Sequence, residues 1–424
     1  MIRATRDYLT FLWRCGRIAF VGDWRYYAWM GALTVFCLLG LHAYCIQFVH
    51  GLIVTGMSDE VSWGVYIANF TFLVGVAAAA VMMVIPVYIY DNEELHDLVI
   101  FGELLAVAAI IMCLAFVTVD LGRPDRFWHL IPGLGQLNFP RSMLSWDVIV
   151  LNGYLLLNVH ICGYLLYCRY QDRKPSKWFY IPFVFIAIFW AVSIHTVTAF
   201  LYVGLGGRPF WNSSIVGPRF LASAFSAGPA IIILALQVIR RVTKYHITNK
   251  ALLTLRSIVQ VSMIINVFLL INEIFKEFYS GNLHVASSRY LVLGLDGHHA
   301  LVPWIWTAIT FNLVSMFLLI LPLSRSLKWL DLACALCIVG IWIEKGMGLV
   351  IPGFIPTPLG ALIEYTPTMN ETLVCLGIWA FGLLCYTIFL RMSVPILQGT
   401  LSKSNEHLPE PDSGAEPVAA RAPH

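Results

Sequence analysis

Ten long apolar stretches, separated by short polar segments, fill nearly the whole of this 424-residue chain. Hydrophobic residues make up 59% of it and charged residues 12%, against roughly 25% charged residues in soluble domains. About 20 consecutive apolar residues cross a bilayer as one helix, and the run from Phe72 to Val87 lacks the alternation of a barrel strand. We therefore predict an all-α integral membrane protein with about ten transmembrane helices. The predicted spans are residues 28–50, 63–90, 98–119, 146–168, 179–202, 219–240, 252–278, 301–322, 328–350 and 372–395.

The distribution of basic residues predicts the orientation of the chain in the membrane. Most of the 27 Lys and Arg residues lie in the two tails and in the loops that follow even-numbered spans. The positive-inside rule then places both termini in the cytoplasm. On the opposite, outer side lie four long loops, residues 120–145, 203–218, 279–300 and 351–371. Because long loops commonly carry function or contact partners, we expect the outer face to be the working face.

The order of the spans predicts the domain organisation. Consecutive antiparallel helices joined by loops pack as four-helix bundles. We predict one bundle from spans 2–5 at residues 63–202 and a second from spans 6–9 at residues 219–350. Spans 1 and 10, at residues 28–50 and 372–395, are then flanking helices.

The two ends of the chain differ in composition. Residues 1–27 place five arginines among aromatic and aliphatic side chains. This pattern fits a helix on the inner leaflet, and it fits equally an irregular basic tail that only sets topology. Residues 396–424 are poor in large apolar side chains, and we predict that they are disordered. The formal net charge of +3 gives no reason to expect a nucleic-acid partner.

Cysteine and histidine spacing argues against a redox cofactor held by this chain. The ten cysteines form neither an iron–sulfur run nor a haem-attachment motif. Cys334 and Cys337 lie within an apolar helix, where they are better interpreted as core residues. Haem b needs histidines on facing helices, whereas His42 and His50 share one helix. We expect no haem, no iron–sulfur cluster and no metal, and we keep a haem-b subunit as an alternative.

Polar side chains within the predicted spans are the remaining functional candidates, because an ionisable group in lipid is costly. Asn69, Asp147 and His195 are predicted to share one depth in the first bundle, with Asp120 and Arg123 above them. The structural alternatives are a carboxylate favoured by a helix dipole at Asp147 and an interhelical hydrogen-bond partner at His195.

This set fits the redox chemistry of a quinone, which moves two electrons and two protons. Histidine titrates near neutral pH, and a nearby carboxylate can orient the imidazole and accept the proton. We predict catalytic roles for His195 and Asp147. The predicted quinone-binding residues are Tyr66, Asn69, Trp146, Ser142, Thr196 and Arg123.

A second set of intramembrane polar residues is a candidate proton path. Its members are Glu103, His160, Asn266, Glu273 and Asn312. Polar residues also hold membrane helices together, and a structural Glu273–Lys276 pair at i,i+3 is the alternative. Glu344 and Lys345 are expected to form a solvated pair near the outer interface.

Several motifs in spans 2–9 resemble one known family. They are Asp120-Leu121-Gly122-Arg123-Pro124, Ser145-Trp146-Asp147, Ser193-Ile194-His195-Thr196, Gly207-Arg208-Pro209-Phe210-Trp211, Asn272-Glu273 and Gly297-His298-His299-Ala300-Leu301-Val302-Pro303-Trp304. The chain resembles the NrfD/PsrC family of quinone-interacting membrane subunits, which carry no redox cofactor of their own. With ten predicted spans, the chain is similar to members of the larger branch of that family, which includes the DsrP-like subunits of Dsr sulfur-redox complexes.

The resemblance implies a function for the whole chain. It implies electron and proton exchange between a menaquinone-type pool and a periplasmic, ferredoxin-like iron–sulfur subunit docked on the long loops. Further redox subunits, a link to sulfur-compound metabolism and a location in a bacterial or archaeal inner membrane, with the long loops facing the periplasm, are also implied. Family roles match Asp147 and His195 best, and Asn69 and Arg123 less closely. A secondary transporter, a haem-b quinone oxidoreductase subunit and a purely structural anchor are the alternatives.

Overall fold

The computed structural model describes residues 2–243, 245–281 and 285–404, with side chains from residue 5 onward. Most of the predicted disordered tail lies outside the described residues. Its first part does not fit that prediction, because the Lys403 amide donates to the Tyr170 carbonyl oxygen over 2.7 Å. The Lys403 ammonium also lies 2.8 Å from the Asp7 carboxylate. Residues 396–404 are therefore held against the N-terminal helix and the end of span 4.

Helices make up almost all of the regular structure in the described part of the chain. They are α1 (Ile2–Ala19), α2 (Trp24–His50), α3 (Val65–Ala78), α4 (Val81–Tyr88), α5 (Val99–Asp120), α6 (Met143–Tyr170), α7 (Lys177–Val203), α8 (Val216–Thr243), α9 (Asn249–Ser280), α10 (Val285–Val292), α11 (Val302–Ile320), α12 (Leu327–Lys345), α13 (Met347–Val350) and α14 (Met369–Leu397). Among the residues that the structure describes, ten helical segments are long and apolar enough to cross a membrane. They coincide with the ten predicted spans to within a few residues, so the all-α membrane architecture is confirmed.

The helices pack in two closed rings of four. In the first ring, α3 and α6 each contact both α5 and α7. In the second ring, α8, α9, α11 and α12 contact one another in turn. The rings meet where α3 crosses α8, and α14 packs against both α2 and α5. Gly40 of α2 faces Gly377 of α14 so closely that a Cβ on Gly40 would lie 2.5 Å from the Gly377 Cα atom. Small residues of this kind let membrane helices approach closely.

Span 2 is interrupted, which the apolar pattern did not predict. α3 ends at Ala78 and α4 begins at Val81. At this break α8 presents Gly228, and a Cβ built there would lie 1.9 Å from the Ala79 Cβ atom. At Gly228 the two rings therefore touch through backbone and methyl groups.

The loops divide between two faces because consecutive spans cross the molecule in opposite directions. We call the side with residues 51–64, 121–142, 204–215, 285–301 and 351–368 the long-loop face, and the side with α1 and residues 398–404 the short-loop face. Four aromatic rings lie beneath the long-loop face: Trp63, Tyr202, Trp211 and Phe354. Trp63 stacks on Trp211 at 5.5 Å between ring centroids, and Phe354 meets Trp211 edge-on at 4.9 Å. This aromatic cluster joins loops and helices of both rings.

The N-terminal segment is a helix, which decides one open question from the sequence. Phe11, Cys15 and Ile18 of α1 are buried, and Phe11 packs edge-on to Tyr167 with 5.2 Å between centroids. The opposite side carries the exposed side chains of Leu9 and Trp13. Its position on a leaflet stays a prediction.

Candidate functional site

His195 and Asp147 lie on adjacent helices and are both buried. His195 of α7 is 1% exposed and Asp147 of α6 is 3% exposed. The hydroxyl of Thr198 donates to Asp147 Oδ1 over 2.9 Å and also to the Ile194 carbonyl oxygen. Thr198 lies one helical turn after His195, so both side chains share one face of α7. The structure thus brings the two predicted catalytic residues to the same region of the first bundle.

The imidazole of His195 has unused hydrogen-bonding capacity. Its Nδ1 atom is buried and has no hydrogen-bond partner among the described residues. Its Nε2 atom points toward α3, where it lies 3.7 Å from the position that a Cβ on Gly75 would occupy. Buried polar atoms normally have partners, so a free ring nitrogen marks a place for a ligand or a water.

The direct contact expected between the carboxylate and the imidazole is not formed. Asp147 accepts its hydrogen bond from Thr198, while His195 Nδ1 is unpartnered. Thr198 was not among the predicted site residues, although its i+3 spacing from His195 was a usable signal. The arrangement is therefore a carboxylate bonded to a hydroxyl, with the imidazole one helical turn away on the same helix as that hydroxyl.

Asn69 does not belong to this group. Its Oδ1 atom accepts hydrogen bonds from Trp342 Nε1 at 3.0 Å and Trp379 Nε1 at 2.9 Å. Its amide group donates to the Val65 carbonyl oxygen over 2.8 Å. Asn69 thus ties α3 to α12 and α14. A shared depth was a reasonable expectation, but depth alone does not say which side of α3 a residue faces.

Tyr66 is fully buried, and its hydroxyl already has a partner. It donates to Gln47 Oε1 over 2.6 Å, and Gln47 Nε2 donates to the Val119 carbonyl oxygen over 2.6 Å. Gln47 was not predicted as a site residue, and its polar side chain within span 1 was the available signal. On the α7 side of α3, Thr71 shares a hydrogen bond with Tyr202.

Ser142 and Trp146 lie at the rim of the first bundle. Ser142 is the N-cap residue of α6 and makes no side-chain cap bond. The indole of Trp146 donates to the Pro140 carbonyl oxygen over 2.9 Å and packs on Phe139. These two side chains face the loop that precedes α6, although Trp146 is the sequence neighbour of Asp147.

Arg123 and Thr196 are also directed away from the His195 ring. Arg123 pairs with Asp125 at 2.8 Å, and its side chain is 64% exposed. The hydroxyl of Thr196 donates to the Val192 carbonyl oxygen of its own helix. Of the predicted quinone-binding residues, none is hydrogen-bonded to His195 or Asp147 among the described residues.

The residues proposed as a proton path fall into separate groups. Glu103 of α5 is buried and accepts from the thiol of Cys162 over 3.1 Å. His160 lies on another face of α6, where its ring packs against Phe183 at 4.6 Å. The described side chains connect neither of them to the second bundle.

The remaining three path residues meet in the second bundle. Arg219 bonds to Glu273 and, over 2.7 Å, to Glu344 Oε1. The Lys345 ammonium lies 3.0 Å from the same Oε1 atom. We call Arg219, Glu273, Glu344 and Lys345 the buried ion cluster. Asn266 and Asn312 both donate to Glu344 Oε2, over 3.4 and 2.7 Å.

One expectation from the sequence about this cluster was wrong, and one alternative is not formed. Glu344 and Lys345 are 2% and 3% exposed, so they are not a solvated pair. Glu273 pairs with Arg219 of another helix, and Lys276 instead lies 3.0 Å from Glu277. The i,i+3 rule describes neighbours along one helix, and it cannot anticipate a stronger partner from α8.

Two of the histidines considered as haem ligands, His42 and His50, lie apart from this site as exposed side chains of α2. Within residues 2–243, 245–281 and 285–404 there is no group of three or more His, Cys, Asp or Glu side chains that could hold a metal ion.

The fold and its buried ionisable groups define a multi-pass integral membrane protein. The chain belongs to the NrfD family: the family model described as polysulphide reductase, NrfD, matches residues 53–356. The resemblance found in the sequence motifs is confirmed at this level.

Three curated proteins align along nearly the whole chain. One is the Hdr-like menaquinol oxidoreductase integral membrane subunit of Archaeoglobus fulgidus, 23% identical over 87% of this chain and 93% of its own length. Another is a putative dimethyl sulfoxide reductase membrane subunit of Halobacterium salinarum, 25% identical over 86% of this chain and 90% of its own length. A third, a selenate reductase subunit of Mesobacillus selenatarsenatis, is 21% identical over 86% of this chain and 93% of its own length. All three relatives are subunits of redox complexes.

Proposed function

We propose that this protein is the membrane subunit of a respiratory redox complex that exchanges electrons and protons with a menaquinone-type pool. The observation that carries the proposal is the buried His195 ring with an unpartnered Nδ1 atom, one helical turn from Thr198, whose hydroxyl is bonded to the Asp147 carboxylate. The names of the relatives, one of them a menaquinol oxidoreductase subunit, support the same chemistry.

A quinol bound beside His195 would supply two electrons and two protons. His195 would accept a hydrogen bond, and then a proton, from the quinol hydroxyl. The Thr198 hydroxyl would take up the second proton of the quinol while giving its own proton to Asp147, since it contacts that carboxylate directly. Asp120 ends α5 at the long-loop face, and we propose that the protons leave on that side.

The electrons would pass to an iron–sulfur subunit docked on the long-loop face. Phe127, Trp128 and Leu134 expose large apolar side chains there, which is the kind of surface a protein partner covers. Within the family we propose the ten-span, DsrP-like branch, a periplasmic long-loop face, cytoplasmic termini and a link to sulfur-compound metabolism.

The test is quinol-linked electron transfer by the assembled complex. We expect His195→Gln and Asp147→Asn each to lower the rate by about 100-fold, because positioned acid–base groups contribute 10²–10⁴-fold. Thr198→Val should lower it by about tenfold, because Asp147 then loses its hydroxyl partner. Unchanged rates in both His195→Gln and Asp147→Asn would refute the site.

Thr118→Val is the matched control for Thr198→Val. Its hydroxyl donates only along its own helix, to the Leu114 carbonyl oxygen, and its side chain is exposed on α5. The complex with Thr118→Val should carry out quinol-linked electron transfer at the parental rate. Equal losses in both threonine variants would point to a general effect on helix packing.

One observation favours a secondary transporter as the second candidate. Span 2 is broken between Ala78 and Val81, and transporters commonly bind substrates at interrupted helices. Solute uptake by vesicles that contain only this chain would support that function. A Soret band in the purified complex, removed by changing His160 or His195, would instead support a haem-b subunit.

A further inference from the structure

The first span, α2, is the least enclosed of the ten membrane-spanning helices among the described residues. One side of it packs against the rest of the chain: Gly40 meets Gly377 of α14, and Gln47 bonds to the Val119 carbonyl oxygen of α5. The buried residues on this side are Leu33, Gly40, Ala43 and Gln47. The preceding helix, α1, packs against α14 and α6. The opposite side of α2 is therefore left exposed.

The exposed side of α2 carries a regular pattern. Seven exposed residues follow one another at alternating steps of three and four; they are Ala28, Gly31, Val35, Leu38, His42, Cys45 and Val49. This is the a/d spacing of a heptad repeat, which places side chains in one stripe along a helix. His42 follows Leu33 by nine residues, about 180° around the helix axis at 3.6 residues per turn. We call the seven residues the α2 stripe, and it lies opposite the buried side.

One member of the α2 stripe is an ionisable residue at membrane depth. Cys37 is the middle residue of α2 (Trp24–His50), and His42 lies about 8 Å beyond it at 1.5 Å per residue. With α2 centred in the bilayer, the hydrocarbon extends about 15 Å to either side of Cys37. The His42 ring makes no hydrogen bond among the described residues. Because ionisable side chains in transmembrane segments almost always face protein or a water-filled cavity, the α2 stripe is better explained as a protein contact than as a lipid-facing surface.

The α2 stripe is complementary to itself. Two copies of this chain that insert with the same topology are related by a two-fold axis along the membrane normal, so their α2 helices run parallel. Each stripe residue then meets its counterpart at the same depth. A neutral imidazole has one donor and one acceptor nitrogen, so two His42 rings can share a hydrogen bond. At Gly31 an added Cβ would meet no atom within 4 Å, and such small residues let membrane helices approach closely.

We propose that this chain forms a homodimer through the α2 stripe, with the two α2 helices packed as a parallel, left-handed pair and the two His42 rings hydrogen-bonded across the dimer axis. A heptad pattern gives such a pair a crossing angle of about 20°. In each copy α14 supports α2 from behind, through the close contact of Gly40 and Gly377. The dimer adds to the proposed quinone chemistry and does not depend on it.

The direct test is oxidative crosslinking of the full chain in native membranes with copper phenanthroline. In the parental protein the two Cys45 thiols should form a disulfide across the dimer axis, which gives a species of twice the chain mass on a non-reducing gel. Cys45→Ser should abolish this species, and Val49→Cys added to Cys45→Ser should restore it.

Phe48→Cys in the Cys45→Ser background is the matched control for Val49→Cys. Both residues are exposed near the same end of α2, but they point about 100° apart around the helix. The cysteine at position 48 should therefore give at least tenfold less dimer. Equal yields at the two positions, or a crosslinked product that contains a different subunit, would overturn the proposal.

Variants at His42 test the shared hydrogen bond, with crosslinking at Cys45 as the measurement. His42→Leu keeps the helix apolar and should lower the dimer yield several-fold. His42→Asn keeps a donor and an acceptor and should retain most of the yield. His50→Leu, at the end of the same helix and outside the stripe, is the matched control and should leave the yield unchanged. A parental yield in His42→Leu would overturn the proposed contact between the two rings.

Discussion

At the scale of single residues, Glu371 shows how much one buried carboxylate can organise. It is fully buried in the first turn of α14, and its Oε1 atom accepts from the Tyr365 hydroxyl over 2.6 Å. Its Oε2 atom accepts from the backbone amides of Gly56 and Thr368, each over 2.8 Å. Thr368 in turn caps the helix, so the two form a capping box. One side chain therefore joins two long loops to the start of span 10.

Replacing Glu371 should be costly. Glu371→Ala leaves the Gly56 amide and the Tyr365 hydroxyl without acceptors, and each unsatisfied buried group costs about 1–3 kcal/mol. We expect a clear fall in the thermal stability of the detergent-solubilised protein. The neighbouring Thr372→Ala, at an exposed position, should change it little. Equal stability of the two variants would contradict this account of Glu371.

At the scale of helices, the contact between α3 and α8 depends on the absence of a side chain at Gly228. A Cβ there would lie 1.9 Å from the Ala79 Cβ atom and 3.1 Å from the Ala79 Cα atom. These are methyl and backbone atoms, which cannot rotate away as a long side chain would. The two rings can approach this closely only because both helices carry small residues.

Gly228→Val should therefore destabilise the protein, by at least the 1–3 kcal/mol typical of overpacking. Gly217→Val on the same helix is the control, because a Cβ at Gly217 meets no atom within 4 Å. Thermal unfolding followed by intrinsic fluorescence would measure both. Tolerance of valine at Gly228 would mean that α3 and α8 are not held as close as described.

The ten spans could be predicted because apolar length is a local property of the sequence. The partners of buried polar groups could not be predicted, because they come from distant helices. Arg219 forms ion pairs with Glu273 and Glu344, and two tryptophans donate hydrogen bonds to Asn69. The predicted depths of His195 and Asp147 placed both residues in one region of the first bundle, where the structure also has them. They could not reveal which way each side chain faces, nor the break in span 2 at the crossing with α8.

At the scale of the whole molecule, a carboxylate on the long-loop face links two distant loops. Glu364 accepts from the Ala300 amide over 3.0 Å, and its other oxygen lies 3.3 Å from His298 Nδ1. Partial burial alone would raise the pKa of Glu364, but the bonds from Ala300, His298 and Tyr290 outweigh it and leave the pKa lowered. The ionised form is thus favoured by the folded protein.

This shift predicts that the link weakens in acid. A carboxyl with a lowered folded pKa stabilises the fold above its unfolded pKa, about 4.3 for glutamate, and loses that contribution as the pH falls through the folded value. The protection of the Ala300 amide against hydrogen exchange, measured against the intrinsic exchange rate at each pH, should therefore fall in acid. In Glu364→Gln this protection should be low at every pH and should not fall further in acid. A fall in acid that persists in the glutamine variant would assign the pH dependence to another group.

The stacked pair of Trp63 and Trp211 gives the protein an optical property of its own. The two indoles have 5.5 Å between their centroids and 30° between their planes. At this distance their electronic transitions couple and produce an exciton couplet, two circular-dichroism bands of opposite sign. Trp63 precedes span 2 and Trp211 precedes span 6, so the strength of that signal depends on the spacing of the two halves. A Trp63→Phe difference spectrum would isolate it, and relative movement of the halves during turnover could then be followed without any added label.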